Sequence, residues 1–288
     1  MFKKFSRAWG IAKMCWSILK LDKELMMFPL LSLLTCGLLL VGIAGPLVMS
    51  GEFEEFIVMT APMDGEGNIN PLAIALDFAI YFVIYFVMIF FNTALVACAR
   101  IRFSGGDPTV ADGLKASINR LPQIFIWALT TSIVGFILSK LAENQKGIGK
   151  LVFGFLGAGW AIASFFVVPV LVAEKVGPIT ALKRSAAVIK KTWGELLIAQ
   201  LGMSALSIFI VLPAFIVFFV GMIIFEQAGL TVIITLAVIT LIWVFATSLA
   251  LSALNGILKT ALYIYATEGK IPENFDSDVI INPAPTTK

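Results

Sequence analysis

One pattern occurs three times along this 288-residue chain: a basic amphipathic segment followed by two long apolar runs. It opens with "FKKFSRAWGIAKMCWSILKLDK" and runs at 25–49 and 71–99. The second occurrence starts at "DPTVADGLKASINR", with runs near 121–142 and 150–173. The third starts at "PITALKRSAAVIKK", with runs at 193–225 and 230–266. About 20 apolar residues cross a bilayer, so six such runs predict six membrane spans. Hydrophobic residues make up 59% of the chain and charged residues 14%, far fewer charges than a soluble domain carries. The expected fold is all-α: a polytopic bundle of six transmembrane helices built from three units, each an interfacial helix plus a helical hairpin. The units fall near 1–102, 103–174 and 175–266 of a single membrane domain 1–266, followed by a tail at 267–288.

Charge predicts orientation. Eighteen of the 21 basic residues precede span 1, lie between spans 2 and 3 or 4 and 5, or follow span 6. Only Lys140, Lys146 and Lys150 flank the 3–4 connection, and the loop 50–70 carries Glu52, Glu54, Glu55, Asp64 and Glu66 with no Lys or Arg. The positive-inside rule therefore places both termini in the cytoplasm of an inner-membrane protein. Residues 1–24 lack an uninterrupted apolar stretch and do not read as a signal peptide.

The amphipathic segments place apolar residues at spacings of three and four. Phe2, Phe5, Trp9, Ala12, Trp16 and Leu19 form the first stripe, with Lys3, Lys4, Arg7, Lys13 and Lys20 mostly away from it. Ile179, Leu182, Ala186, Ile189 and Trp193 repeat it against Lys183, Arg184, Lys190 and Lys191, and Val110, Leu114, Ile118 and Leu121 form a shorter version. Pro108 and Pro178 suit a first helical turn, and Asp107 suits an N-cap. Such helices lie in the membrane interface. With Arg100 and Arg102 at the end of span 2, Lys3, Lys4, Arg7, Lys13, Lys183, Arg184, Lys190 and Lys191 form a candidate collar. It would bind anionic lipid or a protein partner, or serve only as a topological anchor. Nothing points to nucleic acid.

Runs 71–99, 193–225 and 230–266 reach roughly 44, 50 and 56 Å as helices, so they must tilt, break or project from the bilayer. Pro169 and Pro213 offer breaks in spans 4 and 5. The even spans end in "ARIRFSGGDP", "AEKVGP" and "ATEGKIP", each a helix stop. Gly154, Gly157 and Gly159 with Ala158 and Ala161 permit close packing of span 4. Polar rows follow one face of several spans: Asp77, Tyr81, Tyr85, Met88 and Asn92; Gln200, Ser204 and Ser207 with Glu195; and Ser248, Ser252, Asn255 and Lys259. Such residues avoid lipid, and either bond between helices or line a hydrated path. Lys259 has Glu195 as a candidate partner.

The absence of histidine removes histidine-based triads, proton relays and metal sites. Cys15, Cys36 and Cys98 form neither a disulfide framework nor a zinc spacing. Asp64, Glu66, Asn68 and Asn70 resemble the start of a calcium loop, but Ile69 stands where glycine is needed and no Glu occupies position 75, which leaves a solvated turn. No catalytic, cofactor-binding or metal-ligating residues are assigned, and no cofactor is expected.

The opening "FSRAWGIAKMCWSILKLDKELMMFPLLS" is similar to that of an uncharacterised prokaryotic six-span membrane family, the domain-of-unknown-function family 6159. So are "FNTALVACARIRFSGGDPTVADGL" and "FFVVPVLVAEKVGPITALKRSAAVIKKTWGE". A more distant resemblance is to the membrane domain fused to some bacterial glycerophosphodiester phosphodiesterases, whose catalytic barrel is missing from these residues. The resemblance implies an inner-membrane protein and no activity. The expected function is a non-enzymatic scaffold that organises anionic lipid, a partner protein or further copies of itself; the alternative is a transporter or channel with a polar path between spans 2, 5 and 6.

Overall fold

The computed structural model describes residues 2–61, 70–143, 147–191, 193–224 and 230–269. The described residues are 91% helical and contain no strands. The elements are α1 (Phe2–Leu21), a 3-10 turn (Lys23–Met26), α2 (Met27–Ser50), α3 (Phe53–Met59), α4 (Pro71–Phe103) and α5 (Val110–Ile118). They continue with α6 (Leu121–Glu143), α7 (Ile148–Ala163), α8 (Val167–Glu174), α9 (Pro178–Lys191), α10 (Trp193–Ile224) and α11 (Leu230–Glu268). Six stretches are long and apolar enough to span a membrane: Lys23–Ser50, Pro71–Phe103, Leu121–Glu143, Ile148–Glu174, Gly202–Ile224 and Thr231–Glu268. These follow the six runs of the sequence. The chain is a multi-pass membrane protein.

The chain divides into two compact units that do not coincide with the three recurrences. Unit one gathers Met1–Met27, Cys98–Thr109 and Val188–Lys288; unit two gathers Phe28–Ala97 and Val110–Ala187. In unit one, α1 packs on α10 and α11, which form an antiparallel pair. Its core joins Cys15, Ile18 and Leu25 to Met203, Leu206 and the run Leu254–Leu262. The far halves of α10 and α11, from Ile208 to Phe245, are largely exposed, as suits lipid-facing surface. In unit two, buried residues include Val87, Ile89 and Thr93 to Ala97 on α4, Ile124, Trp127 and Ala128 on α6, and Val167 to Leu171 on α8. Trp127 stacks on Trp160 with ring centroids 5.8 Å apart. Close approach of α6 and α4 needs Gly135, where a Cβ would stand 2.6 Å from the Tyr81 hydroxyl.

The even spans stop in a common way. Each ends at a left-handed residue: Gly105 (φ 81°), Lys175 (φ 57°) and Gly269 (φ 65°). Gly269 N–H closes on Tyr265 O at 3.0 Å, and Gly106 N–H on Ile101 O at 3.0 Å. A residue with φ > 0 ends the helical ladder, and glycine adopts it without strain. Lys175 takes the position despite its Cβ.

Both prolines behave differently from expectation. Span 4 does break, but at Ser164–Phe166; Pro169 is the third residue of α8, where its missing N–H is not needed. The break is held by Ser185, whose Oγ accepts the Phe166 N–H at 3.0 Å. Pro213 breaks nothing, because α10 runs unbroken through it. In hydrocarbon, keeping the remaining backbone groups paired outweighs one lost ladder bond. Asp107 and Pro108 also lie outside α5, which starts at Val110, so neither caps it nor fills its first turn.

On the short helices α5 and α9 the residues that face the protein are mostly small. On α5 the buried residues are Gly113 and Ser117, and Ile118 and Leu121 are exposed. On α9 they are Ala181, Ser185, Val188 and Ile189, and Ile179 and Ala186 are exposed. Ser117 and Ser185 end the same short pattern, small–Leu–Lys–x–Ser, in "GLKAS" and "ALKRS". Ser117 Oγ donates to Phe90 O at 2.8 Å, as Ser185 accepts from Phe166. Small residues let the helix approach, and the hydroxyl meets a backbone group on a neighbouring span, at Phe166 one exposed by the break in span 4. Replacing Ser185 with alanine strands a buried N–H, a loss of about 1–3 kcal/mol. S185A is therefore expected to lower the thermal midpoint of the detergent-solubilised protein, and exposed Ser252→Ala to leave it unchanged, measured side by side by thiol-reactive dye unfolding.

Candidate functional site

The candidate surface is the collar of basic residues around the short helices, and the structure divides it by residue type. Three arginines, Arg100, Arg102 and Arg184, turn to internal carboxylates. In unit one Arg102, near the end of α4, makes a two-pronged pair with Asp22: Nε meets Oδ2 and Nη2 meets Oδ1. The same Nη2 also reaches Asp107. Asp22 is 1% exposed, and Asp107 is 93% exposed at its side chain. Arg100 lies 3.7 Å from Glu268 at the end of α11. In unit two Arg184 Nε donates to Glu174 Oε2 at 3.0 Å. Arg100, Arg102 and Arg184 thus hold the protein's own acids. Guanidinium geometry matches a carboxylate fork, and Arg184 and Arg100 keep exposed side-chain surface, 61% and 35%, beside their pairs.

The lysines do the opposite. Lys13, Lys20, Lys183, Lys190 and Lys191 are exposed. The ion pairs among the described residues use none of these five. Lys3, Lys4 and Arg7 stand on α1, but their side chains lie outside the described residues, as do those of Glu195 and Trp193. The acidic pattern Asp64, Glu66 and Asn68 also lies outside them.

On α1 the stripe read in the sequence divides between two faces. Cys15, Ile18 and Leu19 face the core, whereas Trp9 (56% exposed) and Trp16 (43%) face outward. Lys13 and Lys20 share that outer face, and Lys20 Nζ sits 5.9 Å from the centre of the Trp16 ring. Burial pushes the Cys15 thiol up to about 12, so it stays a neutral packing group. The sequence reading missed Asp22. Asp22 and Glu24 inside "LKLDKEL" were the available signal, but the Asp22 partner lies 80 residues away.

The polar rows separate by unit. In unit two Asp77 pairs with Lys140 at 3.7 Å, and the Tyr81 and Tyr85 rings are 4.6 Å apart. Asn92 is half-buried. In unit one the α10–α11 pair has a readable register. Trp243 Nε1 donates to Ile210 O at 3.0 Å, and a Cβ on Gly221 would meet Leu236 at 2.7 Å. Antiparallel continuation of these two contacts puts Gln200 level with Asn255. Each keeps a buried side-chain oxygen without a hydrogen bond, although Asn255 Nδ2 donates to Leu251 O at 3.0 Å. Lys259, half-buried, follows one turn later on α11.

A family model described as "Family of unknown function (DUF6159)" matches residues 72–273, well over half of the chain. The chain belongs to this family. The match begins at the start of α4, so α1 and the first span lie outside it and the resemblance read in the opening is not part of it. No curated protein and no solved structure matches. Nothing in these comparisons connects the chain to the glycerophosphodiesterases.

The Asp22–Arg102 pair gives a direct test. Removing one partner of a buried ion pair leaves an uncompensated charge and costs about 3–5 kcal/mol, whereas an exposed pair is worth under about 1 kcal/mol. Asp22→Asn is expected to lower the thermal midpoint sharply in detergent, and Asp107→Asn only slightly. Equal effects of the two would remove Asp22 as the principal partner.

Proposed function

We propose that this protein is a non-enzymatic scaffold of the inner membrane, with both termini cytoplasmic, that organises anionic lipid or partner proteins at its cytoplasmic face. The observation that carries the reading is that Arg100, Arg102 and Arg184 are engaged by internal acids, whereas Lys13, Lys20, Lys183, Lys190 and Lys191 are exposed on α1 and α9. An exposed ammonium near an anionic leaflet attracts it by roughly 1 kcal/mol. The 18-to-3 partition of basic residues in the sequence supports the orientation. The shared small–Leu–Lys–x–Ser pattern of α5 and α9 supports common descent of the repeated units. The absence of histidine supports the non-enzymatic reading. The test is K183Q/K190Q/K191Q, with Arg184 left in its pair. Phosphatidylglycerol and cardiolipin retained through mild detergent purification should fall several-fold relative to phosphatidylethanolamine. Retention equal to the unaltered protein overturns the lipid arm of the reading.

A second reading, a polar path, is favoured by one observation in unit one. Two buried acceptor oxygens, on Gln200 and Asn255, lack partners at one level of the α10–α11 pair. Each orphaned acceptor is costly unless something else occupies it. Under the scaffold reading Q200L/N255L leaves solute flux in reconstituted vesicles unchanged and raises or preserves stability. Under the path reading the same variant changes flux at unchanged stability.

A further inference from the structure

We propose that the outer face of α1 is a binding site for the phosphate headgroup of an anionic phospholipid, formed by Trp9, Lys13, Trp16 and Lys20; this rests on the lipid arm of the scaffold reading and gives it a location. The four residues are spaced four, three and four apart, which aligns them on one face of a helix. They are exposed, with indole and ammonium alternating along the stripe. Lys20 Nζ lies 5.9 Å from the Trp16 ring centre, so the cation is held beside the aromatic face. Neither lysine enters the ion pairs of the described residues.

The stripe cannot roll away from its position. Cys15, Ile18 and Leu19 occupy the opposite face, are 0–2% exposed, and pack where α1 meets α10 and α11. The stripe also lies next to a candidate span: the span-1 stretch starts at Lys23, and buried Asp22 is the single residue between it and α1. Tryptophan is favoured at headgroup level by its apolar ring and polar N–H. An acidic protein segment in water would satisfy the lysines but leave two half-exposed indoles wet. A phospholipid supplies both the phosphate and the adjoining hydrocarbon.

The experiment uses the full chain, delipidated in detergent, titrated separately with phosphatidylglycerol and phosphatidylcholine and read by native mass spectrometry. K13Q/K20Q should weaken phosphatidylglycerol binding about tenfold or more, with phosphatidylcholine unaffected and K13R/K20R binding like the unaltered protein. Quenching of tryptophan fluorescence by dibrominated phosphatidylglycerol should shrink in W9F/W16F and decline with added salt in the unaltered protein. If K13Q/K20Q binds normally while K183Q/K190Q/K191Q does not, the α1 site is overturned and the scaffold reading stands. If every variant binds normally, both fall. Should K13Q/K20Q not fold, the quenching decides, and quenching indifferent to salt or to W9F/W16F overturns the site.

Discussion

Asp22 is the residue on which the organisation of unit one depends. It stands at the corner between α1 and span 1, almost fully buried, and its carboxylate is held two-pronged by Arg102 from the end of α4. Cys98 Sγ donates to Thr109 O at 3.3 Å, closing the short connection after α4 on itself. These contacts fix the segment 98–109 beside the chain's opening helix, and α1 then packs on α10 and α11. Three pieces distant in sequence are thereby brought together. A buried ion pair is not strong evidence of stability, since desolvation offsets much of its attraction. Its consequence is geometric. A planar fork meeting a buried carboxylate tolerates little rotation, so it specifies where α1 turns into the membrane.

The faces of the short helices illustrate a limit of apolar periodicity. In water an apolar stripe points to protein, because protein is the available apolar phase. At a membrane surface lipid is a second one. Ile118, Ile179, Trp9 and Trp16 are exposed in the protein, and exposure alone does not say to which phase. What protein contact selects here is smallness and a hydroxyl. Gly113, Ser117, Ala181 and Ser185 bring helix backbones close, and the two hydroxyls meet backbone groups on neighbouring spans. A stripe of large apolar residues and a stripe of small ones can both be present on one helix. Period alone does not say which meets the protein.

The six spans, the short helix before each hairpin and the stops of the even spans were legible, because each follows from local chemistry: a run long enough to cross, a proline or glycine at the end. The parts that were not legible are those set by long-range contact. Asp22 looked like a stray acid, since Arg102 is 80 residues away. Asp107 has the composition and position of an N-cap, yet electrostatics draws it to Arg102 and α5 starts later. Pro213 carries the general signal for a break, but the signal was calibrated on helices in water, where an opened carbonyl finds a solvent partner. Helix α3, Phe53–Met59, escaped notice because seven residues carry too little period to read.

The separation of arginine from lysine follows from their chemistry. A guanidinium is weakly hydrated and forked, so it can leave water to meet a carboxylate at modest cost. An ammonium is compact and strongly hydrated, and keeps most of its favourable energy only where water or a mobile anion remains in reach. In this chain Arg100, Arg102 and Arg184 reach Glu268, Asp22 and Glu174, whereas the lysines of α1 and α9 remain outside. Counting basic residues therefore locates the face but overstates the charge it presents. The charge left for a partner is carried by lysines interleaved with exposed tryptophan on α1 and clustered on α9.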